Sequence, residues 1–490
     1  MLEKTFKRDT LRRYRFRWFL PLFFIGGYIF SFSFFKPFAM EYVGLTTLSI
    51  FGCCLLLSVL NRPLNITLPI WTLLIVFIVA YYFKFYLMVS FSESVRDWFS
   101  LSQWVFDSPN TLLKAYALVT SAFFVFCLVA WLFVVAIRHP QKMISNSDAE
   151  INYRFLISVL MWLISILIVG TGFMMYITKI AIMGAESVYL PFRLAGWIFY
   201  ARLTLIPGLL LLLIWCGEQV GLRKYVNIGI ILLFIHGISE MLIRSSRGAL
   251  LGLFILLGFF FLITGKINKQ RVALFIIIIL LTALLFPIIS HYRNIRIPDQ
   301  EARIYSALEE SIVSHEETSL SEILTSGGMN ILIRFVGIEM LLPIVGANPE
   351  PLGVKNLFSP SVEIFHKYSV LGYHPQHVTG ISTSLIGWFY LVGGAYFAVI
   401  GVFSFVLLSM IFWYILMRVK LLCLPVALAM FVFFFAWQFS IDAAFGSLGI
   451  GTITLTGSIA VCELIIRNGK RDHWLKKSST VKTEEMAYNK

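Results

Sequence analysis

Apolar runs of about 20 residues recur from residue 18 to residue 466, and a run of that length is what an α-helix needs to cross the ~30 Å hydrocarbon layer of a bilayer. So many runs cannot share the core of one water-soluble domain. Of the 490 residues 59% are hydrophobic and only 13% charged, too few polar side chains to cover a soluble surface. The expected fold class is therefore all-α, a polytopic integral membrane protein. Twelve spans are expected, at 18–35, 42–60, 68–90, 112–137, 154–178, 194–215, 226–243, 248–265, 271–290, 387–417, 421–441 and 447–466. The sixth contains Arg202. The tenth is too long for one straight crossing, and Gly393-Gly394 is its natural bend.

The net charge of +14 would suit nucleic acid if it lay on one face, but Lys and Arg cluster in the short connections between spans. There they set topology, and nucleic-acid binding is excluded. Residues 1–17 carry seven basic side chains and lead directly into the first span without a small-residue cleavage site, so that helix is expected to be retained. Twelve spans place both termini on one side. The basic connections Arg62; Arg138, Lys142 and Arg154; Arg223 and Lys224; Lys266, Lys269 and Arg271; and Arg418 with Lys420 all fall on that side, which makes it the cytoplasm. The expected division is a basic N-terminus (1–17), a nine-helix region (18–290), an extracytoplasmic loop (291–386), a three-helix region (387–466) and a basic tail (467–490) without structure. The six cysteines lie in apolar segments without metal or disulfide spacing and read as small apolar residues.

Against this apolar background the stretch His236-Gly-Ile-Ser-Glu240-Met-Leu-Ile-Arg244-Ser-Ser-Arg247 stands out. At ~100° per residue His236, Glu240, Arg244 and Arg247 lie at roughly 0°, 40°, 80° and 20°, one face of a continued helix. Two helices are expected to meet at Ser245-Ser246. His236 and Glu240 could bond neighbouring helices while the arginines reach headgroups. Alternatively the arginines form an anion site, since guanidinium pairs bind phosphate bidentately and ionisable groups inside membranes mark substrate paths. Arg193 with Arg202, Arg244 with Arg247, and Arg293 with Arg296 all fall toward the outer side. Arg202 would lie ~12 Å and Lys84 ~9 Å below the surface, and each needs a partner, either Glu240 or a bound anion. Glu240 is also one turn from Arg244, which competes for it.

The loop 291–386 opens with His291-Tyr-Arg293-Asn-Ile-Arg296. Two amphipathic helices are expected within it, over 300–324 and over Met329–Val345, the second carrying Arg334 and Glu339. After Asn348-Pro-Glu-Pro351 comes a stretch with His366, His374 and His377. His374-Pro-Gln-His377 lacks a third metal ligand, and no nucleotide, zinc or nucleophile-elbow motif is present, so neither cofactor nor metal is expected. The energy for any reaction must then arrive with a membrane-borne substrate. A sugar chain on polyprenyl pyrophosphate fits: arginines stabilise the leaving pyrophosphate, and a His or carboxylate accepts the proton of the attacking hydroxyl. His374, His377 and Glu339 are the candidates for that base. Arg244, Arg247, Arg293, Arg296 and Arg202 are the candidates for pyrophosphate, supported by Glu240, His236 and Arg334.

Four elements, Arg244-Ser-Ser-Arg-Gly-Ala-Leu-Leu251, the long late loop, Arg334-x-x-Gly337-x-Glu339, and Ser384-Leu-Ile-Gly-Trp-Phe-Tyr-Leu-Val-Gly393, come in an order that resembles the Wzy-type O-antigen polymerases over residues 225–415. Trp388 and Val392 stand where that family commonly has an acidic residue and an asparagine. The resemblance implies a membrane fold like that of the polyprenyl-linked (GT-C-like) glycosyltransferases. It also implies polymerisation of undecaprenyl-pyrophosphate-linked oligosaccharide repeat units, the same lipid serving as donor and acceptor, at the outer face of a bacterial inner membrane. A chain-length regulator and a flippase are the implied protein partners, beside membrane lipids. An O-antigen ligase shares this architecture and is the nearest alternative. A lipid-linked oligosaccharide flippase is the alternative from another class, although flippases usually show two related halves and no single large outer loop.

Overall fold

The computed structural model describes residues 19–59, 62, 64–91, 108–137, 152–178, 194–244, 249–295, 328–329, 331–332, 335–372, 382–441, 443 and 445–488. All regular structure among them is helical. Nine of the described helices are long and apolar enough to cross a membrane, and Phe19–Ser31, Ala249–Ile263 and Ile338–Ala347 are shorter apolar helices. The chain is a multi-pass helical membrane protein on this evidence of length and composition.

Two compact units are formed, the first from Met1–Gln141, Leu332–Ile415 and Phe434–Leu448, the second from Lys142–Ile331, Leu416–Phe433 and Gly449–Lys490. The first begins with α1 (Phe19–Ser31), α2 (Ala39–Val59) and α3 (Leu64–Val76). α3 runs through a π-helical segment, Phe77–Phe83, into α4 (Lys84–Ser90), and α5 (Pro109–Ala136) follows. Ser108 caps α5, its hydroxyl accepting from the Thr111 amide at 3.3 Å, and Pro109 occupies the first turn, where its missing N–H costs nothing.

α2 packs along α5 through a buried network of hydroxyls. Tyr42 meets Ser31 at 2.5 Å, Tyr86 meets Tyr116 at 3.1 Å, and Tyr82 meets Ser49 at 3.0 Å and Thr120 at 3.3 Å. Phenols this deep need partners because hydrocarbon supplies none. Each of these finds one within the bundle.

In the second unit come α6 (Tyr153–Thr178), α7 (Leu194–Tyr200), a π segment (Ala201–Leu205) and α8 (Ile206–Val220). α9 (Arg223–Arg244), α10 (Ala249–Ile263) and α11 (Lys269–Ile295) follow. The expected break between the seventh and eighth spans is present, since α9 ends at Arg244 and α10 starts at Ala249.

The described helices differ from the sequence reading in three places and agree with it at the glycine pair. The helix expected over Met329–Val345 is not continuous: α12 spans only Ile338–Ala347, after a bend at Phe335–Gly337. Gly337 lies so close to the π segment that a Cβ there would sit 2.0 Å from the Ala80 carbonyl oxygen, so only glycine fits without moving backbone. The long span bends where expected, at Gly394, whose φ of 78° is left-handed. It divides α14 (Leu385–Arg418) at the glycine pair, and the carbonyls freed at Leu391 and Val392 accept from the amides of Leu352 and Gly353, both at 2.9 Å. The sixth span is longer than 194–215, running from Leu194 to Val220. Finally, the tail is helical: α15 (Leu424–Phe431) precedes α16 (Leu448–Tyr488), which continues through the segment expected to lack structure. That segment is polar, but its Lys, Arg and Glu residues are good helix formers extending an existing helix, so no new nucleus is needed. The helix expected over 300–324 lies outside the described residues.

Candidate functional site

Among the described residues, each unit holds a cluster of buried ionisable groups with long-range partners. In the second unit Arg202 lies within the π segment Ala201–Leu205 and is 1% exposed. A π segment inserts a residue into the helical turn and re-aims the side chains around it. Arg202 is thereby directed among α6, α8 and α9. Its Nε donates to Glu240 Oε1, one Nη to the Ile168 carbonyl (3.1 Å) and the Thr171 hydroxyl (2.9 Å), and the other Nη to the Ser239 hydroxyl (2.7 Å). The carbonyl of Arg202 lies 3.0 Å from His236 Nε2. A carbonyl only accepts, so the imidazole carries its proton on Nε2.

Arg202 was expected among the groups that meet pyrophosphate directly. Instead every guanidinium nitrogen faces protein. The observed geometry makes it the pin of three helices, and Glu240 turns toward it from the last two turns of α9. Glu240 and His236 are buried, 2% and 0% exposed. Arg244 is the last residue of α9, one turn beyond Glu240, and Arg293 is in the last turn of α11. The side chains of both lie outside the description, as do Arg247, Arg296, Arg334, His374 and His377 altogether.

In the first unit Lys84 is the first residue after the π segment Phe77–Phe83 and has no exposed surface. Its Nζ donates to Glu339 Oε1 at 2.6 Å and to the Phe335 carbonyl at 2.5 Å. Glu339 is 1% exposed. The candidate base is thus held by an ammonium on α4, while Gly337 fits against the Ala80 carbonyl of the same helical run. Both named residues of the Gly337-x-Glu339 element therefore dock on one helix. A partner of Lys84 is thus Glu339, which the sequence reading had not matched to it. Close by, the Tyr81 hydroxyl accepts from the Ile386 amide at 3.5 Å, and Ser384 caps α14 by accepting from the Gly387 amide at 3.1 Å. Trp388 is buried, its Nε1 donating to the Leu357 carbonyl at 2.9 Å while its ring packs on Phe445.

Among the described residues of the loop, His366 is a buried histidine, at the start of the π segment His366–Val370 after α13 (Ser361–Phe365). Its Nδ1 is 3.1 Å from the Thr383 hydroxyl. Burial holds this imidazole down at about 4, well below its ordinary range. In the unfolded chain it would take a proton near its ordinary 6.5, so the unfolded state binds more protons between pH 6.5 and 4. Its contribution is complete above pH 6.5 and declines as the pH falls through that window, by on the order of 3 kcal/mol in total. Thermal unfolding followed from pH 7 to pH 4 is expected to show a steeper loss of Tm in wild type than in His366→Gln. Equal slopes would remove His366 from the acid sensitivity.

Comparison with family models, curated protein sequences and solved structures gives no match to this chain.

Proposed function

We propose that this protein polymerises polyprenyl-pyrophosphate-linked oligosaccharide repeat units at the outer face of a bacterial plasma membrane, without metal, in a twelve-span GT-C-like fold with both termini in the cytoplasm. The observation that carries this is the anchoring of α9: the buried Arg202–Glu240 pair fixes the helix one turn before the arginine pair 244 and 247. Interior charge of this kind is costly in a membrane and is kept where it serves a substrate. Here it fixes the end of α9, and the guanidinium groups of Arg244 and Arg247 would receive the donor pyrophosphate as the bond from sugar C1 to phosphate oxygen breaks. The sugar hydroxyl of the acceptor forms the new bond to C1, its proton passes to a base, and polyprenyl pyrophosphate leaves. Glu339, His374 and His377 are the candidates for that base, the first of which must leave Lys84 to act.

The test is a single-substrate assay. Purified protein given one lipid-linked repeat unit, without ATP or added metal, is expected to yield a ladder of longer lipid-linked chains and free polyprenyl pyrophosphate. A ligase would leave that substrate unchanged until a second acceptor such as a lipid A core was supplied. A flippase would move it across a vesicle membrane and form no bond. No ladder with authentic substrate rejects the polymerase, and complete inhibition by a chelator rejects the metal-independent form of it.

A further inference from the structure

α6 carries a stripe that the proposed reaction does not use. Arg154, Ile157, Ser158, Met161, Trp162 and Ser165 recur at helical spacing along one face and, with Tyr225 from the first turn of α9, line a groove of about 370 Å3. Eleven residues of helix separate its ends, a length of roughly 16 Å, which is about half the ~30 Å hydrocarbon layer. The groove is therefore about one leaflet deep. Its charged end is formed by Arg154, with Arg223 and Lys224 immediately before Tyr225 in the chain. All three cations are exposed, and none forms an ion pair with another described residue. Trp162 is 73% exposed, an amphipathic ring on the outward side of the helix.

We infer that this groove holds an anionic diacyl phospholipid, its phosphate at Arg154 and one acyl chain lying along Met161 and Trp162 toward Ser165. Charge complementarity selects the headgroup. The basic end has three exposed cations that no described residue pairs, and basic side chains at the end of a membrane span attract anionic lipid. The wall below them is mostly apolar and contacts a chain along its length. The inference is independent of the reaction proposed above.

Full-length protein in lipid nanodiscs, with photoactivatable acyl chains on phosphatidylglycerol or on phosphatidylcholine, tests it by mass-spectrometric mapping of the adducts. Phosphatidylglycerol is expected to label the Met161–Trp162 segment about fivefold more than phosphatidylcholine, the factor that one basic side chain near an anionic surface contributes. Arg154→Gln should reduce that preference while Arg154→Lys retains it, with melting temperatures confirming that both variants are folded. Equal labelling by the two lipids in wild type, or an unchanged ratio in Arg154→Gln, overturns the site. Displacement of the phosphatidylglycerol label by substoichiometric decaprenyl phosphate overturns the diacyl assignment in favour of a polyprenyl lipid.

Discussion

Glu339→Gln is expected to destabilise the protein by about 3–5 kcal/mol, because it removes the buried carboxylate to which the fully buried ammonium of Lys84 donates. The amide keeps the size of the carboxylate and an oxygen acceptor, so neither a cavity nor a lost shape complicates the comparison. Removing the positive charge as well should recover most of the loss, since the ion pair is then removed as a unit. Lys84→Met combined with Glu339→Gln is accordingly expected to unfold at a higher temperature than Glu339→Gln alone. The measurement is thermal unfolding of purified protein in detergent. A single Glu339→Gln variant as stable as wild type would show that the pair contributes nothing and that Glu339 is not tied to α4.

A loss of similar size, about 3–5 kcal/mol, is expected for Arg202→Met. The change leaves Glu240 buried and strips the Ile168 carbonyl and the Thr171 and Ser239 hydroxyls of their donor. Arg202→Lys should recover only part of it. One ammonium cannot reproduce a planar fork that reaches α6 and two positions on α9. Proteolysis of membranes containing the variants, read beside their melting temperatures, would show whether the helices of the second unit loosen. Full rescue by lysine would mean that charge alone, and not the fork, holds α9.

The helical membrane class was legible because apolar runs of spanning length admit few other folds, and the bend at Gly394 was legible because only a glycine pair interrupts that run. The burial of Lys84 and Arg202 was also legible from their depth within apolar segments. Their partners were only half so. Glu240 is near Arg202 in sequence and was named, whereas Lys84 and Glu339 are 255 residues apart and only the folded chain joins them. The π segments that aim Lys84 and Arg202 left no trace in the hydrophobic pattern, since runs that are apolar on every side have no periodicity to shift. For the same reason the tyrosine hydroxyl network beside α2 went unnoticed. His366 could have been found: Pro360 and Ser361 open a short helix whose Val362 is apolar, a hint that this part of the loop packs inward while His374 and His377 follow a later glycine.

If the arginine pair after Glu240 binds the donor pyrophosphate, Arg247→Lys in the single-substrate assay should expose it. Lysine keeps the charge but not the bidentate fork, and loss of one such contact in a dry site costs a few kcal/mol of transition-state stabilisation, on the order of 10²-fold or more in rate. This variant, inserted in the membrane and melting as wild type does, is expected to make almost no ladder and release almost no polyprenyl pyrophosphate. A wild-type ladder from Arg247→Lys, and again from Arg247→Ala, would contradict it.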